Sequence, residues 1–240
     1  MKTIFDPRSV KVGIMKKMAF LTIFFIVSIW SCAHSQSISG HQYPQEWWQF
    51  IDPKTAPAWE ILPQSVSAKE NKVILSKRNE LGILSNFADT PFLFRGQRYQ
   101  SVEGLWQSMK YPEGNSDPRI QPGILWPFSR SEVMLQAGFI AKDSGKIANE
   151  NMKKLGIKWI SFEGEKFDYN STDVGKQKHY ELIFAAMSEK MNQNEQVKTI
   201  LLKTQNLILL ADHDQGPNAA PAYLYANIWM KIRDQLQQNQ

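Results

Sequence analysis

The sequence predicts a mainly α domain with a small antiparallel β hairpin or sheet. Three observations carry this. The apolar residues Tyr180, Ile183, Phe184, Met187 and Met191 fall at i, i+3, i+4, i+7 and i+11, which is one face of a long helix. Helix-opening signals recur at Ser101, at Ser129-Arg130-Ser131-Glu132 (a capping box) and at Asp173. The segment Phe92 to Tyr99 alternates as a hairpin does, with Arg95-Gly96 at its turn.

In chain order, residues 1–35 read as a leader. Lys16-Lys17 precede an apolar run from Met18 to Trp30, and Ser31-Cys32 follow. A basic start, a short apolar stretch and small residues form an export signal, and the run is short for a membrane span. Met15 begins a more regular signal than Met1. Ile29-Trp30-Ser31-Cys32 resembles a lipobox, which makes Cys32 a candidate for lipidation and membrane attachment. Simple cleavage after Ala33-His34-Ser35 is the alternative. Either outcome predicts an exported protein of the cell envelope, lipidated, periplasmic or secreted. Residues 36–71 hold Pro44, Trp47, Trp48, Pro53, Pro57, Trp59 and Pro63, too many prolines for a long helix. They read as a tether that becomes an arm wrapped on the domain.

The domain itself is placed at 72–240. Lys72 to Ser76 is a candidate strand, followed by the hairpin and by a helix from Ser101. Tyr111 to Phe128 is a Pro/Gly-rich loop. A short helix from Ser129 is expected to stop at Gly138, and another to run from about Ser144 to Leu155 before Gly156. The long helix spans Asp173 to about Asn192, and Asn194 caps a helix holding Val197, Ile200 and Leu201. Leu207 to Leu210 is a short buried run, and a last helix covers about Tyr223 to Leu236.

Composition narrows the function classes. The chain has 240 residues, 28 basic and 23 acidic. Residues 1–31 hold five of the basic residues and one acidic residue, so 23 and 22 remain and the rest is nearly neutral. The basic pI therefore belongs to the leader, and no stable nucleic-acid partner is expected. Cys32 is the sole cysteine, which excludes an internal disulfide and a thiolate zinc site.

The chemistry-bearing pattern lies at 101–111. Glu103 sits in a first helical turn, with Gln107 four residues on and Lys110 seven residues on. A carboxylate, an amide and an amine can then share one helix face, suited to acid/base work or to covalent chemistry at a sugar carbon. By spacing alone, Glu103 could equally be a helix-dipole partner and Lys110 a solvated lysine. Trp106, Tyr111, Trp126 and Trp159 are core candidates, though a nucleobase needs a flat partner, and Tyr111 and Trp126 flank an exposed loop. Asn86 either closes a turn or faces a pocket. Asp212, His213 and Asp214 follow a buried run; Asp212 or Asp214 could orient ribose hydroxyls, and three adjacent side chains do not make a metal site.

Leu84-Ser85-Asn86-Phe87, the hairpin, and Ser101-Val102-Glu103-Gly104-Leu105-Trp106-Gln107-Ser108-Met109-Lys110-Tyr111 together resemble the NADAR (YbiA-like) family. Its hallmark is LSNF, a hairpin, then T-V-E-H-x-x-Q-x-x-K-[FY]. Weaker matches follow at Trp159, Ala186-Met187, Leu201 to Thr204, Leu209-Leu210 and Asn227 to Arg233, so the resemblance covers Lys72 to Leu236. Two departures stand out: Gly104 replaces the usual His, and Asp212-His213-Asp214-Gln215-Gly216 lacks the family's Trp-Gly segment.

The resemblance implies an N-glycosidase that hydrolyses the bond between a (phospho)ribose or ADP-ribose and an amine-bearing base, such as a riboflavin-pathway aminopyrimidine intermediate or ADP-ribosylated guanine. The partner is then a small ribosylated molecule, with no organic cofactor and no metal. It implies Glu103 and Lys110 as catalytic residues, Lys110 through a Schiff base, with Asn86, Trp106, Gln107, Tyr111, Trp126, Asp212, Asp214 and Asn227 as substrate contacts. The rival readings are a binding module that holds an ADP-ribose-like ligand without turnover, favoured by the two departures, and a structural envelope protein.

Overall fold

The computed structural model describes residues 43–238. The leader, its apolar run and Cys32 lie outside the described residues. Among those described, no helix is long and apolar enough to cross a membrane.

The domain is mainly helical with short strand pairs, as the sequence predicts. Three strands and a first helix open it: β1 (Lys72–Ile74), β2 (Phe92–Phe94), β3 (Gln97–Tyr99) and α1 (Val102–Ser108). Then come α2 (Arg130–Met134), α3 (Gly138–Lys154), β4 (Ile160–Phe162), β5 (Glu165–Phe167), α4 (Asp173–Gln193), α5 (Glu195–Lys203), β6 (Ile208–Leu210) and α6 (Tyr225–Gln238). β2–β3 and β4–β5 are antiparallel hairpins, whereas β1 pairs with β6 in parallel, Val73 opposite Leu209.

Both hairpins turn on a residue pair with positive φ, Arg95-Gly96 (52° and 74°) and Glu163-Gly164 (50° and 80°). Two such residues give the mirror-image turn that matches strand twist. Ser129 and Glu132 close the capping box at α2. α3, however, begins at Gly138 and not near Ser144. Gly138 does break the chain after α2, with φ 59°, but the next helix starts there because its amide finds the Phe87 carbonyl at 3.0 Å. Ser144 is instead buried in mid-helix, its hydroxyl donating to Gln136 Oε1 at 2.6 Å. Thr172, not Asp173, caps α4. Asn194 makes no side-chain cap for α5, because its amide donates to the carbonyls of Pro91 and Lys190.

The core joins the hairpin β2–β3, α1, α4, α5 and α6. The stripe on α4 faces it: Ile183, Met187 and Met191 are buried, while Tyr180 and Phe184 pack at its edge. The same buried face carries two polar residues, His179 and Lys190. Residues 43–71 form short 3-10 turns between prolines. Trp47 is fully buried and donates to Glu80 Oε1 at 2.9 Å; Trp48 donates to the Lys72 carbonyl at 2.8 Å.

Candidate active site

The Leu84–Phe87 segment is held by its backbone. The Leu84 carbonyl accepts from the Trp229 indole on α6. That of Ser85 accepts from Lys190 Nζ on α4 at 2.9 Å, and from the Ala88 amide at 3.1 Å. The Asn86 carbonyl accepts from the Glu103 amide at 2.9 Å, and the Phe87 carbonyl from Gly138. Four consecutive carbonyls thus tie together four helices. A buried carbonyl left without a donor is costly, so these bonds fix the segment that flanks Glu103. Lys190 is fully buried, and burial lowers its pKa to about 7.

α1 starts where Ser101 Oγ accepts from the Gly104 amide at 2.9 Å. The same hydroxyl donates to the Gln136 carbonyl at 2.8 Å, which locks α1 against the chain after α2. The fit leaves no room at Gly104: a Cβ there would lie 2.5 Å from the Gln136 carbonyl oxygen. A backbone approach thus forbids any side chain at the position where the resembling family carries His.

Glu103 and Gln107 meet as their spacing predicts, Gln107 Nε2 donating to Glu103 Oε1 at 2.8 Å. Among the described residues nothing else donates to that carboxylate. Burial raises the Glu103 pKa, against the lowering effect of Gln107, Lys110, Lys142 and His213. Lys110 departs from the expected helical face. α1 ends at Ser108, so Lys110 lies in the turn beyond it and folds back with Nζ 4.5 Å over the Trp106 ring. Its ammonium has no hydrogen-bond acceptor among the described residues. Burial lowers its pKa to about 8, with Glu103 opposing.

Glu103 lines a cavity of about 950 Å³. Its wall near Glu103 includes Trp106, Tyr223 and His179, whose ring stacks on Trp106 with centroids 4.1 Å apart. Both His179 nitrogens are buried without a partner among the described residues. Burial holds its pKa near 3, with Lys110 adding to the effect, so the imidazole is neutral. Another part of the wall carries Trp59, Phe87 and Phe139, with the amines of Lys77 and Lys142. Lys176, His213 and Asp214 also line the cavity. Such a hollow, apolar with a few convergent charges, suits a small polar ligand with planar and anionic parts.

Of the expected substrate contacts, Asn86, Trp106 and Asp214 line this cavity, and Asn86 Oδ1 has no partner among the described residues. Several others do not. Lys110 is 4% exposed and absent from the lining. Gln107 is buried against Gly145, where a Cβ would meet its side chain at 1.9 Å, so it acts on Glu103 and not on a ligand. Tyr111 is fully buried, its hydroxyl donating to the Ser144 carbonyl at 2.8 Å. Trp126 packs edge-on to Tyr111 and lines a separate hollow. Asn227 is exposed on α6 away from the cavity lining.

Asp212 is 1% exposed and committed within the protein. It pairs with Lys77, and with His213 Nδ1 at 2.9 Å, and accepts from the Tyr225 hydroxyl at 3.3 Å. Burial alone would raise its pKa; the bonds to His213 and Lys77 outweigh this and hold it low. Its effect is to aim a lysine and an imidazole at the cavity. Among the described residues no group of three His, Cys, Asp or Glu side chains could hold a metal ion.

Sequence reasoning missed Trp59, Lys77, Lys142 and His179. His179 was accessible in principle: it lies four residues before Ile183, on the apolar stripe. The others reach the site through distant pairings that no local pattern announces.

No described protein family and no curated protein matches the chain. Among solved structures it is similar to the Escherichia coli protein YbiA, determined by NMR, with 17% identity and a TM-score of 0.44, over 69% of this chain and 86% of that one.

Proposed function

We propose that this domain is an N-glycosidase acting on a ribose or ADP-ribose linked to an amine-bearing base. One observation carries the reading. A carboxylate of raised pKa stands on the wall of a ligand-sized cavity, one oxygen held by Gln107 and the other without a donor among the described residues. A raised pKa favours the protonated acid.

The bond from C1 of the ribose to nitrogen breaks, and its electron pair leaves with the nitrogen. Glu103 gives that nitrogen a proton. The carboxylate that results faces the cationic C1 and takes a proton from the water that adds there. Ribose and free base leave, and Glu103 is protonated again. Lys77 and Lys142 supply positive charge for a phosphate on the sugar. Trp106 and Tyr223 flank the reacting end. Lys110 acts through Glu103: its charge limits the rise in the acid's pKa. With an export leader, the substrate is met at the cell envelope.

The binding-module reading is favoured by Asp212, which Lys77 and His213 occupy so that it cannot serve as a second free acid. Incubation with a ribosylaminopyrimidine 5′-phosphate, and separately with ADP-ribosylated guanosine, separates the two. Free base from either, lost in Glu103→Gln, supports the enzyme. Binding of both without release supports the module.

A further inference from the structure

The arm, residues 36–71, precedes the stretch that carries the family resemblance, yet Ala58, Trp59, Glu60 and Ile61 line the cavity. This part of the arm is firmly placed. The Ile61 amide donates to the Asp212 carbonyl at 2.8 Å, and Glu60 bridges to His213. The Arg78 guanidinium grips the Glu60 carboxylate with both donors, at 2.7 and 2.6 Å. Of the arm's three tryptophans, Trp47 and Trp48 serve the core and bond to Glu80 and Lys72. Trp59 does neither. It is 49% exposed, and its indole N–H has no acceptor among the described residues.

What surrounds Trp59 is chemically specific. Phe139, 54% exposed, meets Trp59 edge-on with centroids 6.5 Å apart, and meets Phe87 edge-on at 5.3 Å. Lys77 Nζ lies 5.9 Å from the Trp59 centroid and 5.4 Å from that of Phe87. Lys142 Nζ lies 5.8 Å from Phe87 and 5.9 Å from Phe139. Two half-exposed aromatic rings at the wall of a cavity bury little of their surface and stabilise the fold weakly. Rings beside ammonium groups are what a planar base with a phosphate requires.

We propose that Trp59, with Phe87 and Phe139, forms a subsite for a second planar base, joined through phosphate to the ribose that Glu103 faces. Trp59 is then the residue by which the arm sets specificity, selecting dinucleotide-like ligands over single phosphorylated riboses. The subsite rests on the proposed reading of the Glu103 end. The cavity volume, about 950 Å³, lies at the upper end of the roughly 300–1,000 Å³ common for small-molecule sites, which leaves space for both halves.

Titration calorimetry of the full chain with ADP-ribose and with ribose 5-phosphate tests this. ADP-ribose should bind at least about tenfold more tightly than ribose 5-phosphate, the order that one stacked base supplies. Trp59→Ala should weaken ADP-ribose by about tenfold and leave ribose 5-phosphate within about twofold. Trp59→Phe should recover most of the loss, and the unfolding midpoint should stay put in both variants. Equal affinities in the wild type, no binding of ADP-ribose, or an equal loss for both probes in Trp59→Ala overturns the subsite. Neither probe carries the base whose release defines the activity. Trp59-dependent binding without turnover would therefore remove the N-glycosidase reading alone, and turnover with Trp59-independent binding would remove the subsite alone.

Discussion

The amide of Glu103 donates to the carbonyl of Asn86 at 2.9 Å, so the candidate acid and the segment before the hairpin are fixed to each other by backbone. The bond satisfies one of the free amides at the start of α1 and sets Glu103 beside a residue that also lines the cavity. Ser101 holds the same helix end from the other side through Gln136. The site acid thus rides on a first turn anchored twice, which limits how far its carboxylate can swing.

Gly104 is predicted to be irreplaceable. A Cβ would lie 2.5 Å from the Gln136 oxygen, and that oxygen belongs to backbone that holds Ser101. Gly104→Ala should cost about 1–3 kcal/mol. Gly104→His, which introduces the residue usual in the resembling family, should cost more and should not raise activity. Urea unfolding of both variants checks this.

Trp47 is predicted to bind the arm to the domain. It is fully buried and bonded to Glu80. Trp47→Ala should lose about 3–5 kcal/mol by denaturant unfolding. A loss near that of an exposed residue would mean the arm is only loosely applied.

Lys190 should make stability depend on pH. Its pKa falls from 10.5 to about 7 on folding, through burial. A depressed folded pKa means that the unfolded chain holds more protons between about 7 and 10.5, so stability rises with pH in that window and is lost as pH falls toward 7. The slope should approach about 1.4 kcal/mol per pH unit. Lys190→Met should reduce that slope between pH 7 and 9, leaving the smaller contribution of Lys110. The Ser85 carbonyl keeps the Ala88 amide as donor, so the variant should fold. An unchanged slope would show that Lys190 keeps its ordinary pKa.

Lys110 should tune Glu103 without bonding to substrate. Lys110→Met takes away a positive charge that lowers the Glu103 pKa. The limb of the activity profile that reports Glu103 should move to higher pH, with turnover reduced but not abolished. Borohydride added during turnover should trap no adduct. A sugar adduct found at Lys110 by mass spectrometry would contradict this placement.

Much of the fold was legible because local rules act over a few residues. The turn at Arg95-Gly96, the Ser101 and Ser129 caps and the α4 stripe each need only neighbours in sequence. The hairpin β4–β5 carried the same kind of signal at Glu163-Gly164 and was overlooked. The start of α3 was not legible, because its amide is satisfied by Phe87, far back in the chain. The site divided in the same way. Glu103 and Gln107 follow from helical spacing, and their bond is observed. Lys110 misled because α1 stops two residues short of it. Asp212 misled because its partners, Lys77 and Tyr225, come from distant segments and consume its oxygens. Trp59, Lys77 and Lys142 reach the cavity from three separate segments, two of them turns, and only tertiary structure unites them.

If Glu103 cleaves a ribose–nitrogen bond in this cavity, the bond's products must appear. The direct measurement is release of free base from a ribosylaminopyrimidine 5′-phosphate and from ADP-ribosylated guanosine, followed by chromatography for the wild type and Glu103→Gln, with ligand affinity measured on both. Release by the wild type from at least one substrate is expected, slowed by about 10²–10⁴-fold in Glu103→Gln while binding persists. Equal rates in the two proteins, or tight binding with no base released by either, would contradict it.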